Sequence, residues 1–169
     1  MTSVAKARIG NIYLVQLEPD ADLLLSIRQA IRENNIETGV ILDITGGLTK
    51  ARVQKFKEVG PPLLGVHIVE IPGPMEVSGH GIIGLTRGNG GPAGHKDGQP
   101  YVHCHVTMTS GEQTLCGHLM EGSFVRSRPG KSHFTIVLAA FEGARLTLVV
   151  PPKAPDGPAA NVYHELEQL

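Results

Sequence analysis

The sequence has no tryptophan, and only 4% of its 169 residues are aromatic, so its core has to be built from aliphatic side chains. Charged residues are scarce at 18%, and the net charge of −1 comes without the basic stripe that nucleic-acid-binding proteins usually carry. No stretch approaches the roughly 18 apolar residues that a membrane span needs, and the amino-terminal residues contain no apolar signal core. We therefore expect a soluble, cytoplasmic protein that does not bind membranes.

Cysteine is limited to Cys104 and Cys116, which are not expected to face each other, so a disulfide is not predicted and a reducing compartment fits. Glycine (21) and proline (12) are frequent, which indicates many turns and short strands. The apolar content of 41% is enough for one core. We expect a single domain over residues 1–150 and a Pro/Ala-rich tail over residues 151–169 that lies on the surface or on a neighbouring subunit.

One helix is predicted, with Asp20 as its cap, helical spacing of apolar residues from Leu23 to Ile31, and a stop at Asn34-Asn35. The rest of the chain shows strand patterns. Their expected ranges are 12–17, 39–44, 48–56, 64–71, 75–85, 101–106, 115–119, 134–141 and 145–150, the last two as a hairpin. We expect an α+β fold, a mostly antiparallel β-sheet with one main helix packed on it. Because one helix covers only part of such a sheet, a homo-oligomer is a reasonable expectation.

Three histidines lie in two neighbouring strand-like segments, Tyr101–Val106 and Leu115–Leu119. Side chains two residues apart on a strand share a face, roughly 6–7 Å from each other, so His103 and His105 point the same way. With a tight turn at Ser110-Gly111, His103 would lie opposite His118 and His105 opposite Cys116. A slip of one residue would send His118 to the other face.

Neutral imidazole is the commonest nitrogen ligand of zinc, and three protein ligands with one open position are typical of a reactive metal site. His103, His105 and His118 are therefore the candidate ligands of zinc or another divalent metal. Cys116 is either a fourth ligand or a small packing residue. The alternative is that these histidines only satisfy backbone carbonyl groups within a strand.

Glu76 stands alone in an apolar-to-small stretch, where it is either a desolvated carboxylate suited to proton transfer or an ordinary surface glutamate. His80, between two glycines, is a weaker candidate. The glycine run 87–92 lacks the lysine and hydroxyl residue of a phosphate-binding loop and opens no helix, so a flexible rim beside the histidines is the better interpretation. The remaining histidines are expected at ordinary surface or core positions: His67, His95, His133 and His164.

From Tyr13 to Val150 the chain resembles the plants-and-prokaryotes-conserved (PPC) domain, which occurs alone in prokaryotes and attached to AT-hooks in plant nuclear proteins. The matching elements are the helix entry 17–23, the strand pair 39–48, Glu76 with Gly79, and the set His103-x-His105, Gly117-His118-Leu119 and Glu121-Gly122. The last set is the most specific. The resemblance implies an antiparallel sheet with a flanking helix, a homotrimer, and a metal site, typically zinc, at the three histidines.

The chain departs from the family pattern in two ways. Cys116 replaces the first glycine of a pair before the last histidine, which could alter the ligand set. The AT-hook is absent, since residues 127–130 hold only a fragment of it, so nucleic acid is not an expected partner. We expect a metal-binding homotrimer, open as to enzyme activity, whose ligand is small and polar or anionic and in which Glu76 is the proton-transfer candidate. The alternative is a non-enzymatic oligomerisation module that binds a protein or DNA partner.

Overall fold

The computed structural model describes residues 3–58, 64–90, 94–126, 133–152 and 162–169. Within these residues the chain forms one short α-helix and nine β-strands. In chain order they are β1 (Arg8–Gln16), α1 (Leu23–Glu33), β2 (Gly39–Glu58), β3 (Leu64–Arg87), β4 (Pro100–Ser110), β5 (Gln113–Leu119), β6 (Phe124–Val125), β7 (Thr135–Glu142), β8 (Ala144–Val149) and β9 (Tyr163–Gln168). The glycine run 87–92 and the AT-hook fragment 127–130 fall partly or wholly outside the described residues.

All nine strands belong to one sheet, in the order β1-β7-β2-β5-β4-β3-β8-β9, with β6 attached to β2. Strand β2 also pairs with β3, so that β2, β3, β4 and β5 form a closed ring of neighbours. Every pairing is antiparallel except that between β3 and β8. The predicted mostly antiparallel sheet is confirmed, and its closure at β4 and β5 is what positions the histidines.

Helix α1 begins at Asp22, whose carboxylate accepts a hydrogen bond of 3.0 Å from the Leu25 amide. The predicted cap at Asp20 was wrong, because Asp20 lies two residues earlier with a positive φ of 62°. The predicted stop is confirmed, since Asn34 is the C-terminal cap. The helix is also smaller than expected: its 11 residues form a local cover on the sheet rather than a main layer.

The core lies between α1 and the sheet. The helix contributes five buried residues at the predicted spacing: Leu23, Leu24, Ile27, Ala30 and Ile31. Aliphatic residues of β2 and β7, such as Ile44, Leu48 and Ile136, are fully buried beneath them. The aliphatic core expected from the composition is therefore present.

Strands β2 and β3 run through the glycines and prolines at which the sequence predicted breaks. Strand β2 continues past Gly46-Gly47, and β3 continues past Pro72-Gly73-Pro74. The register between the two strands shifts between Leu48 and Lys50. The ring of Phe134 packs directly on the backbone of Gly46, so any side chain at this position would collide with it. These residues interrupt the register of the long strands locally and do not end them.

Strands β7 and β8 exist close to the predicted ranges, but they do not form the predicted hairpin. Strand β7 pairs with β1 and β2, and β8 pairs with β3 and β9. Thr38 lies between them, accepting hydrogen bonds from the Phe141 amide through its carbonyl and from the Leu146 amide through its hydroxyl. The alternation of apolar residues predicted both strands, but it does not specify which strands pair.

The C-terminal residues add an edge strand to the sheet, because β9 pairs antiparallel with β8 from Ala144↔Gln168 to Val149↔Tyr163. The sequence predicted a Pro/Ala-rich tail on the surface or on a neighbouring subunit in this region, with no strand among the expected ranges. Residues 153–161, which precede β9, lie outside the described residues, and the domain boundary at residue 150 stays a prediction. No helix in the described ranges is both long and apolar enough to cross a membrane.

Candidate metal centre

The three candidate histidines lie on the hairpin of β4 and β5, which turns at Gly111-Glu112 between the paired residues Ser110 and Gln113. His118 is paired with His105, and Cys116 with Thr107. The predicted register was therefore wrong by two residues along the strand. A shift of two residues preserves the face of every side chain, so the predicted cluster survives the error.

The ligand nitrogens of His103, His105 and His118 all lie within 4.8 Å of one another. The Nε2 atoms of His103 and His105 are 3.2 Å apart, and the ring centre of His118 lies 4.8 Å from that of His103 and 5.6 Å from that of His105. Zinc–nitrogen bonds of about 2.0–2.1 Å in a tetrahedron require nitrogens about 3.3–3.4 Å apart. The His103–His105 separation already matches this value, and rotation of the rings has to bring the remaining nitrogens, which lie up to 4.8 Å apart, closer together to complete a tetrahedral site.

The alternation of β4 explains why these rings face outward. Cys104 and Val106 are buried in the core, whereas His103 is half-buried and His105 is exposed. Burial raises the pKa of the Cys104 thiol to about 12, so it is a packing residue that remains protonated. The partly exposed face leaves one side of the cluster accessible to a small molecule.

The surroundings of His103 and His118 lower the pKa of both rings and favour the neutral form, which is the form that binds metals. Burial lowers the pKa of His118 to about 4, with further lowering from nearby His103 and His105. Burial also lowers the pKa of His103, as do the adjacent His105 and His164. The two rings are therefore uncharged at neutral pH.

The end of β5 is fastened to the start of α1, close to the cluster. Arg28 forms an ion pair with Glu121, and a carboxylate oxygen of Asp22 accepts a hydrogen bond of 2.6 Å from the Gly122 amide. Asp22 thus caps the helix and holds the segment after His118 at the same time. This linkage gives the Glu121-Gly122 motif a structural role beside the candidate ligands.

Cys116 does not join the group of three ligand atoms found in the described part of the chain. It is a free, exposed cysteine that lies two residues nearer the turn than His118. His80 lies directly opposite His105 on β3, also exposed and also outside the group. A fourth-ligand role for Cys116 stays one of the two alternatives that the sequence offers.

Glu76 lies elsewhere on β3, paired with Gly47 of β2 and Thr109 of β4. Its side chain is exposed, and its role in proton transfer stays a prediction. Four residues along β3 separate it from His80, which places it about 13 Å from the level of the histidine cluster. It lines a separate open cleft of about 660 Å³, together with Arg126 and His133.

The structure brings three further side chains to the cluster that the sequence did not single out for it. The hydroxyl of Tyr101 is 2.8 Å from Nδ1 of His103 and 3.0 Å from Nε2 of His164, and the ring of His95 packs 5.9 Å from that of Tyr101. Burial raises the pKa of Tyr101 to about 12 and lowers the pKa of His95 and His164. Strand alternation from Tyr101 to His103 could have revealed Tyr101, whereas His164 depends on the β8–β9 pairing.

Comparison with known proteins places the chain in a family. The Plants and Prokaryotes Conserved (PCC) domain, for which PPC is another abbreviation, matches residues 4–130. A PPC protein from Pyrococcus horikoshii has the same fold with a TM-score of 0.68 and 23% identity, over 90% of this chain and 92% of that one.

Two other solved structures are similar at 18% identity. One is a metal-containing protein from Archaeoglobus fulgidus (TM-score 0.68, over 89% of this chain and 93% of that one). The other, from Bacteroides thetaiotaomicron, bears a name that suggests DNA binding (TM-score 0.64, over 94% of both chains). Among curated proteins, none matches the sequence significantly. The match over residues 4–130 shows that the chain belongs to the Plants and Prokaryotes Conserved domain family.

Proposed function

We propose that this protein binds one divalent metal ion per chain through His103, His105 and His118, with zinc as the best match. The observation that carries the proposal is the convergence of three imidazole nitrogens within 4.8 Å on one partly exposed face. The donor set is purely nitrogen, which suits zinc better than magnesium or calcium, both of which prefer oxygen. The metal-containing relative from Archaeoglobus fulgidus supports the same interpretation.

The ligand that we propose for this centre is a small polar or anionic molecule. Three protein ligands leave a position for it, and His105 lies on the exposed side. When bound, such an ion polarises a carbonyl group or activates a water molecule. We retain Glu76 as the candidate for proton transfer, but only for a molecule that reaches the cleft beside Arg126, because Glu76 is too distant to contact the histidine cluster directly.

Elemental analysis of protein purified without an affinity tag tests this proposal directly. We expect about one zinc ion or other divalent metal per chain, because three convergent imidazoles bind such ions tightly. Metal-free protein prepared with a chelator should recover the same stoichiometry on titration with zinc. A protein that contains no divalent metal and takes up none on titration would contradict the proposal.

We further propose that the protein is a homotrimer, as the family resemblance implies. The outer end of the β2–β3 ribbon exposes a contiguous apolar face, formed by Phe56 (73% exposed), Val66 (52%) and Ile68 (46%). Phe56 and Val66 are paired across the strands, and Ile68 follows two residues along on the same face. Exposed apolar clusters of this kind mark interaction surfaces, and a second copy of the chain is the partner that we propose.

Replacing Phe56 with Asp should dissociate this assembly. Light scattering should give three times the 18.0 kDa chain mass for the wild type and a smaller mass for Phe56→Asp, because a charge at a buried interface is costly. Lys57→Asp is the matched control, since Lys57 is an exposed neighbour on the alternate face of the ribbon. A monomeric wild type, or equal masses for the wild type and Phe56→Asp, would argue against this arrangement.

A second candidate function is recruitment of DNA or a protein partner without catalysis. It is favoured by the relative from Bacteroides thetaiotaomicron, whose name suggests DNA binding. The net charge of −1 predicts only weak, salt-sensitive DNA binding by this chain. A gel-shift assay at low and physiological salt distinguishes the candidates, because a DNA-binding module retains a shifted complex at physiological salt.

A further inference from the structure

A chain of hydrogen bonds links the candidate metal centre to the C-terminal strand. It begins at Nδ1 of His103, passes through the hydroxyl of Tyr101 at 2.8 Å, and ends at Nε2 of His164 on β9, 3.0 Å away. The ring centres of Tyr101 and His164 are 5.4 Å apart, and those of His103 and His164 are 6.0 Å apart. These contacts join residues 63 positions apart in the sequence, so they belong to the tertiary structure and not to a local turn.

Metal binding would fix the direction of both hydrogen bonds in the series that joins His103, Tyr101 and His164. Nε2 of His103 faces the other imidazoles, at 3.2 Å from His105, and is therefore the atom available to a metal. The proton of a neutral ring bound through Nε2 resides on Nδ1, which then donates to the Tyr101 oxygen. The Tyr101 hydroxyl keeps its own proton free to donate to Nε2 of His164. Each of these two hydrogen bonds thus has one donor and one acceptor.

Tyr101 is also held firmly enough to orient its neighbours. Its ring packs with Leu148 and Val150 and with Val162, which directly precedes β9. Strand β9 is otherwise attached by backbone pairing to β8, by exposed ion pairs such as Arg87 with Glu165 at 2.5 Å, and at its far end by hydrogen bonds between the Gln168 side chain and the backbone of Lys6 and Gly143. Exposed ion pairs contribute little, and edge strands open easily, so a specific hydrogen bond to His164 matters for the docking of β9.

We propose that Tyr101 and His164 are positioning residues of the metal centre, which hold His103 in the orientation and tautomer that bind the ion and couple β9 to metal occupancy. This inference rests on the proposed metal site. Outer-shell partners of this kind typically change metal affinity by about 10–100-fold when they are removed. Because coupling between two events is reciprocal, metal binding should in turn strengthen the docking of β9.

The test compares Tyr101→Phe, His164→Leu and His164→Gln with the wild type, and uses Tyr163→Phe as the matched control on β9. Phenylalanine keeps the ring in its apolar cluster and removes only the hydroxyl. Zinc affinity is measured by competition with a chromophoric chelator, and the geometry of the centre by the visible absorption spectrum of the cobalt-substituted protein. Hydrogen exchange of residues 163–168, with and without zinc, reports the docking of β9.

We expect Tyr101→Phe to weaken zinc binding about 10–100-fold and to alter the cobalt spectrum, with Tyr163→Phe behaving as the wild type. His164→Leu should weaken binding, and His164→Gln should restore it in part, since the glutamine oxygen can accept the Tyr101 proton. Zinc should slow exchange in β9 of the wild type but not of Tyr101→Phe.

Two results would overturn the inference, and they are distinguishable. Wild-type protein that binds zinc, with Tyr101→Phe and His164→Leu unchanged in affinity and spectrum, removes the positioning role and leaves the metal site standing. Wild-type protein that binds no divalent metal removes the proposed function, and the positioning role with it.

Discussion

His118→Ala should abolish stoichiometric zinc binding while the protein stays folded. The substitution leaves only His103 and His105 as ligands, with their Nε2 atoms 3.2 Å apart. Since even outer-shell changes cost about 10–100-fold in metal affinity, loss of one of three direct ligands should exceed about 100-fold. Elemental analysis and chelator competition measure the loss, and circular dichroism checks the fold. His105→Ala should behave in the same way, because His105 faces His118 across the hairpin.

Two variants provide the controls for this result. His67 is an exposed histidine on the β2–β3 ribbon, paired with Lys55 and away from the cluster, so His67→Ala should retain full zinc content. Glu76→Gln should also retain it, because Glu76 lines the separate cleft. If His118→Ala bound zinc as tightly as these controls, the three-histidine site would be excluded.

Much of the candidate site could be predicted because strand alternation is a local property. His103 and His105 share a face whatever the tertiary structure, and the polar residues between the two strands indicate a turn. The position of that turn was the uncertain step. Gly111 can be the second residue of a Ser110-Gly111 turn or the first residue of a Gly111-Glu112 turn. In the structure it is the first, with a φ of 57°. The resulting two-residue error was harmless only because it is even.

Other features could not be predicted because they depend on contacts between distant segments. Nothing local distinguishes a β7–β8 hairpin from two strands that pair elsewhere, and the decisive residue, Thr38, lies about a hundred positions away in sequence. His164 reaches Tyr101 only because β9 adds to β8. The Asp20 cap failed because two acidic residues precede the helix, and it is Asp22 that both caps the helix and contacts the distant Gly122.

Gly117→Val should disrupt the metal centre, because a side chain at this glycine would displace the backbone of β5 just before His118. A Cβ atom at Gly117 would lie 2.8 Å from Cβ of Val53 on β2, closer than real side chains approach each other. Val53 is fully buried and cannot move aside, and β5 meets β2 at only two residue pairs, Val53↔Leu119 and Gln54↔His118. Valine should therefore push β5 away from β2 and move His118 with it.

Overpacking of this kind costs about 1–3 kcal/mol, and a domain of this size loses about 2–4 °C of melting temperature per kcal/mol. Zinc affinity should fall at least about 10-fold, because the displaced His118 no longer meets the other rings. Cys116→Val is the matched control: Cys116 is exposed, so the same side chain one residue earlier should leave the melting temperature and affinity close to those of the wild type. Equal zinc affinity in Gly117→Val and the wild type would show that β5 does not depend on this close approach. A large loss of zinc affinity in Cys116→Val would instead identify the Cys116 thiol as a ligand. The ligand set would then differ from that of the family, in which a glycine stands at this position.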